Sequence, residues 1–226
     1  MMIFKLNHLI IAKMKKLFSS NEDIRKSAFL NWRTIRNDDI NNFIVLADGY
    51  ISSAIQLIDL CLENNSDSKA DKLIFPILNN VNHGIELYLK SIIWTINELN
   101  KTGEKFDDNC HELNQLFNET IEIIKKYEDL IFFEDFKEKS IILSCYINEI
   151  YAVLTKNPFK NSMTFSRYPI SSTNKNTKQH YKQFYTEKKE NIEIDLENLK
   201  EILEEIYLFL DERVSYLYFN KLKEDY

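Results

Sequence analysis

The stretch HGIELYLK places His83, Glu86 and Lys90 at offsets of zero, three and seven residues, which on a helix brings all three side chains to one side. An imidazole there can move a proton, a carboxylate can orient that imidazole, and an ammonium can offset the carboxylate's charge. Leu87 and Trp94 border this polar column, so the helix is apolar around much of its circumference and is expected to be central. Polar groups on a central helix must find partners. Two arrangements satisfy that need. In one the column is a reactive site; in the other Glu86 and Lys90 form an i,i+4 ion pair and His83 is a satisfied core histidine.

Two further stretches carry comparable chemistry. HELNQLF sets His111 in what is expected to be the first turn of a helix, where the positive end of the helix disfavours an imidazolium and suits a neutral hydrogen-bonding ring. The plainer alternative is a surface histidine near a cap. FSRYP holds Arg167, the only arginine between Arg36 and Arg213, among aromatic residues and close to a rigid proline. A guanidinium held in that way fits a carboxylate or a phosphate. It equally fits an ion pair with Glu86 that pins the loop to the helices.

The net charge of −6 argues against a general nucleic-acid binder, but the charge is unevenly spread. Between Thr155 and Glu190 eight basic residues stand against two acids, so the segment carries +6 and the remainder −12. Phe159, Phe165, Tyr168, Tyr181, Phe184 and Tyr185 alternate there with cations that include Lys175, Lys178 and Lys182. Such a strip can stack on bases while neutralising phosphates, with Arg167, Tyr168, Lys175, Lys178 and Lys182 as the candidate RNA or phosphate contacts. A solvated basic loop lying on an acidic bundle is the alternative.

Taken in order, Pro76, His83, Glu86, Leu87, Leu89 and Lys90, then His111, Leu113 and Leu116, then Phe165, Arg167, Tyr168 and Pro169 resemble the motifs of bacterial HEPN-type helical proteins, which are often encoded beside antiviral or toxin genes. The resemblance covers the middle of the chain, from Phe75 to Ile170. It implies an all-helical fold, dimerisation, and a role in handling RNA or nucleotide. Two departures bear on activity. Asn82 stands where relatives often have arginine, which removes a positive charge from the column, and Ser166 is inserted between Phe165 and Arg167. Nucleases of the superfamily place a histidine after an arginine with four to six residues between them. Here the nearest arginine preceding any of His8, His83, His111 and His180 is Arg167, thirteen positions before His180.

The elements that must position these residues read as helices. Ile40, Ile44, Ala47, Ile51, Ala54 and Ile58 follow four- and three-residue steps behind a cap at Asp38 or Asp39. Ile74, Leu78, Val81, Ile85, Leu89 and Ile92 form a second stripe, with Ser68 and Asp71 as a capping box and Pro76 expected to kink the helix or mark its start. A third helix is announced by Asp108 and Asn109 and runs on Leu113, Leu116, Phe117, Ile121 and Ile124. A fourth uses Phe136, Leu143, Ile147, Ile150 and Leu154. The pattern breaks from Asn157 to Lys189 and resumes with the heptad-like Leu199, Leu203, Ile206, Leu210, Val214 and Leu217.

Three glycines and three prolines are few for the turns of a β-sandwich, and 44% hydrophobic residues in 226 suffice for one core. The expectation is an all-α, antiparallel bundle of five or six helices in a single domain spanning 1–226. Within it, 1–38 is a helical extension, with Ser20 and Asp23 as its capping box, and 155–190 is a long basic loop before the last helix. Cys61, Cys110 and Cys145 are odd in number and lack CxxC spacing, which fits a reducing cytoplasm. The N-terminal stretch is interrupted by Lys5, His8 and Lys13 and is read as an amphipathic helix on the body, not a membrane span.

Four functions follow from these residues. The first is a HEPN-like component of a defence or toxin–antitoxin system that binds RNA, nucleotide or a partner protein. The second is a metal-independent endoribonuclease, with His83 and His111 as base and acid, Lys90 and Arg167 on the phosphate, and Glu86 orienting His83 or holding Arg167. The third is a metal hydrolase using His83, Glu86 and His111, which lacks the tighter motif such sites show, so neither metal nor cofactor is expected. The fourth is a non-catalytic homodimer that pairs through its helices, with the polar column as a structural lock.

Overall fold

A computed structural model describes residues 17–31, 33–155, 166 and 192–224, the side chains of 153–155 excepted, and these divide at Thr34 into two compact units. The described part of the first unit contains one 3-10 turn, Ile24–Lys26, where a longer helix was expected. Asp23 does cap it, accepting from the Arg25 amide, but the turn buries no side chain, and a short helix without a packed face is not sustained.

The second unit is all-α, with six α-helices among its described residues. Helix α1 spans Asp39–Glu63, α2 Ala70–Leu99, α3 Leu113–Lys126, α4 Phe133–Lys139, α5 Ile141–Thr155 and α6 Leu196–Val214, which continues into a π-helical stretch, Ser215–Leu222. Asp38 caps α1 through the Asn41 amide, and the expected stripe from Ile40 to Ile58 is buried in full. By length and composition α1 is the one described helix able to cross a membrane; here its stripe packs on α2.

Helix α2 is the centre of the unit. It touches α1, α3, α6 and the π-helical stretch, and every residue from Gly84 to Asn97 is buried. Gly84 makes the α1 crossing possible, because a Cβ there would stand 2.5 Å from Ile51 Cγ1 and 3.1 Å from the Ala47 carbonyl oxygen. The helix begins six residues before Pro76 and runs through it. Its entry is not the Ser68–Asp71 box. Ser68 adopts φ +53°, and the Ala70 amide is instead capped by the side chain of Asn65.

The remaining elements differ from expectation at their ends. Glu112, not Asp108 or Asn109, is the residue before α3, so His111 precedes the helix and does not lie in its first turn. Its backbone is extended there, with the Glu112 carboxylate drawn to Tyr151. The fourth expected helix is two: Ser140 separates α4 from α5, its hydroxyl bonding back to the Lys137 carbonyl in competition with the helix ladder. Leu217 belongs to the π-helical stretch, whose wider turn buries Leu217, Tyr218 and Leu222 together.

Candidate active site

Glu86, projecting from the buried span of α2, is the hub of the site. Its Oε1 accepts from Lys90 Nζ at 2.9 Å and from His111 Nδ1 at 2.8 Å, and its Oε2 lies 3.7 Å from His83 Nδ1. The helical spacing of four brings Lys90 to it and the spacing of three brings His83. His111 arrives from the segment before α3, 25 positions away. Three of the residues singled out in HGIELYLK and the histidine of HELNQLF therefore do meet.

Burial raises the proton affinity of Glu86, yet the contacts from His83, Lys90 and His111 outweigh it and hold the carboxyl at about 2. The carboxylate is thus ionised and accepts only, so the His111 Nδ1 facing it is the donor, and the free lone pair of a neutral ring lies on Nε2. His83 presents the same edge. Both rings reach solvent, the His83 side chain 37% exposed and that of His111 62%, whereas Lys90 is buried. The Lys90 ammonium also lies 5.1 Å from the centroid of the Phe106 ring.

Several residues that hold this arrangement carry no signal of their own in the sequence. Tyr50 of α1 meets the His83 ring edge-on, centroids 4.5 Å apart. Asn82 accepts from the Tyr146 hydroxyl at 2.9 Å, which ties α2 to α5. Tyr151 donates to Glu112 Oε2 at 2.7 Å, beside His111. Burial pushes the Tyr146, Tyr151 and Glu112 acidities toward the protonated form, which keeps both phenols as donors, and burial likewise pushes up the Cys110 thiol. These links span 33, 64 and 39 positions, and only the phase of the helices reveals them.

Two clefts of about 330 and 510 Å³ open elsewhere, the first beside Phe106 and Glu119, the second beside Phe132 and Arg213. Neither is lined by His83, Glu86 or His111. Among the described residues no three histidine, cysteine or carboxylate groups are set to hold a metal ion, and the Lys90 ammonium already occupies Glu86 Oε1. Arg167, Tyr168, Lys175, Lys178 and Lys182 lie outside the described residues.

No protein-family model, curated protein or solved structure matches the chain.

Proposed function

We propose that this is a HEPN-like cytoplasmic protein of a bacterial defence or toxin–antitoxin system that binds RNA at the Glu86 site and cleaves it without a metal ion. The observation that carries this reading is the sharing of one ionised carboxylate by two imidazoles, each through Nδ1, with both rings solvent-accessible. One Nε2 takes the proton of a ribose 2′-hydroxyl as that oxygen attacks the adjacent phosphorus. The P–O5′ bond breaks, the other ring, which begins the step as an imidazolium protonated on Nε2, gives that proton to O5′, and the products are a 2′,3′-cyclic phosphate and a 5′-hydroxyl. Glu86 orients the rings and stabilises the imidazolium that forms.

Both imidazoles are solvent-accessible, so the phosphate of a polymer can be presented to them. Lys90 is buried and engaged by Glu86, so its part is to balance that carboxylate. The charge of the phosphorane falls instead to Arg167, with Tyr168, Lys175, Lys178 and Lys182 of the basic segment holding the strand. Unpaired Cys61, Cys110 and Cys145 fit a cytoplasmic setting. The last helix and its π-helical continuation present Leu208, Tyr216 and Phe219 outward, and this is the surface expected to pair with a second copy.

The test is incubation of the purified chain with total RNA, with and without chelator, followed by end-group analysis. Chelator-resistant cleavage that leaves 2′,3′-cyclic phosphates and disappears in His83→Ala and His111→Ala supports the reading. An inert wild-type chain, or cleavage that survives both substitutions, overturns it. A non-catalytic lock is the second reading, favoured by the buried Glu86–Lys90 pair. It expects the same two substitutions to lower the melting temperature markedly while no RNA is cut by any form.

A further inference from the structure

The smaller cleft adjoins the Glu86 site through a single ring. Phe106 lines it, and the Lys90 ammonium that engages Glu86 at 2.9 Å lies 5.1 Å from the centroid of that ring. Phe106 and Tyr127 give the cleft an aromatic wall, and its volume of about 330 Å³ is of the size that small-molecule sites have.

Three carboxylates reach the cleft, and they are not equivalent. Glu104 is exposed, and Asp107 Oδ1 accepts from the Asn109 amide at 2.9 Å. Glu119 is half-buried on α3 and, among the described residues, has neither a hydrogen-bond nor an ion-pair partner. Burial and then the charge of Asp107 push its carboxyl up, against the pull of Lys90. A half-buried acceptor at a cleft wall, with no donor from the chain, is left for a ligand. That ligand is not a cation, because each ring that could cradle one already carries an ammonium of the chain itself. Lys90 stands over Phe106, Lys105 lies 4.4 Å from the Trp94 centroid, and Lys126 lies 4.8 Å from the Tyr127 centroid. A neutral aromatic molecule with adjacent N–H donors meets both conditions.

We propose that this cleft binds a guanine base, whose N1–H and 2-amino group donate to the two oxygens of the Glu119 carboxylate. Among the four RNA bases only guanine sets two donors side by side on its Watson–Crick edge. Adenine and cytosine place an acceptor beside the amino group, and uracil flanks its one N–H with carbonyls. An ionised carboxylate accepts only, so it selects guanine. The base packs on the ring surface of Phe106 and Tyr127, while Lys105 and Lys126, both exposed, attract its phosphate. As the base subsite of a strand cut at His83 and His111 the cleft rests on the RNA-cleavage reading; recognition of the base itself does not.

Calorimetric titration of the full chain with guanosine, inosine and adenosine monophosphates tests the proposal. Guanosine monophosphate is expected to bind saturably. Inosine monophosphate, which lacks the 2-amino donor, is expected to bind about tenfold or more weakly, and adenosine monophosphate weaker still. Glu119→Gln, which replaces one acceptor oxygen with a donor, is expected to weaken guanosine monophosphate tenfold or more while the melting temperature stays within about 2 °C of wild type, since Glu119 holds no partner in the fold. Titration with a short oligonucleotide containing one guanosine separates the sources of the base: tighter binding than the mononucleotide identifies an RNA strand, and equal binding a free nucleotide. Guanosine monophosphate binding by a chain that cuts no RNA removes the catalytic reading and upholds this one. No saturable binding of guanosine monophosphate overturns the proposal, as does equal affinity for the three nucleotides or undiminished affinity in a folded Glu119→Gln variant.

Discussion

Tyr151 of α5 donates its hydroxyl to Glu112 at 2.7 Å, and Glu112 is the residue that follows His111. A helix distant in sequence thereby holds the backbone from which the imidazole reaches Glu86. Tyr151→Phe removes that donor and leaves a half-buried carboxylate short of a partner. We expect a loss of about 1–2 kcal/mol in urea denaturation. RNA cleavage should fall further than the stability change accounts for, with Tyr151→Phe retaining a folded circular-dichroism spectrum. A variant with full cleavage would show that His111 is held by Glu86 alone.

Glu86 and Lys90 are buried together, so removing one charge strands the other. Glu86→Gln keeps the shape but leaves the Lys90 ammonium uncompensated, and a loss of roughly 3–5 kcal/mol is expected. The double variant Glu86→Gln, Lys90→Met should recover much of it, because no buried charge remains. Chemical denaturation of the two variants checks this coupling. If the single and double variants are equally unstable, the pair is not the source of the loss.

Much of this site was legible from spacing alone. His83, Glu86 and Lys90 share a helix, and offsets of three and four place them whatever surrounds them; the α1 stripe was equally plain because each apolar position falls on one face. Tertiary partners were another matter. Tyr50, Tyr146 and Tyr151 sit in apolar stretches where a tyrosine reads as core; the Tyr146 and Tyr151 hydroxyls find Asn82 and Glu112, and the Tyr50 ring meets His83, only once helix phase and crossing are known. Helix ends were misread for a local reason. Ser68 and Asp108 are good caps by type, but Asn65 and the Glu112–Tyr151 contact set the entries of α2 and α3. The heptad-like pattern ran on through Val214 with nothing to announce the π-helical turn that follows.

Gly84 marks where α1 and α2 touch most closely, and the same crossing brings Tyr50 to His83. A methyl group at 84 would press on Ile51 Cγ1 and on the rigid Ala47 carbonyl. Gly84→Ala is therefore expected to destabilise the chain by about 1–3 kcal/mol, despite the better helix propensity of alanine. It should also displace the His83 ring from Tyr50, seen as a change in the His83 imidazole resonances. A variant as stable as wild type would mean that the helices separate at no cost.

Acid should reveal the Glu86 network directly. An ordinary glutamate carboxyl titrates near 4.5, and in the fold Glu86 is held at about 2. Because the folded value is depressed, the folded state favours the carboxylate more than the unfolded chain does. That stabilisation is complete above pH 4.5 and is lost as pH falls toward 2. The difference corresponds to on the order of 3 kcal/mol for this largely buried group. Glu86→Gln has nothing to titrate at this position. The gap in stability between wild type and Glu86→Gln, followed by urea denaturation at pH 6, 4 and 3, is therefore expected to narrow steadily on acidification. A gap that stays constant down to pH 3 would mean that His83, Lys90 and His111 do not hold the carboxylate as described.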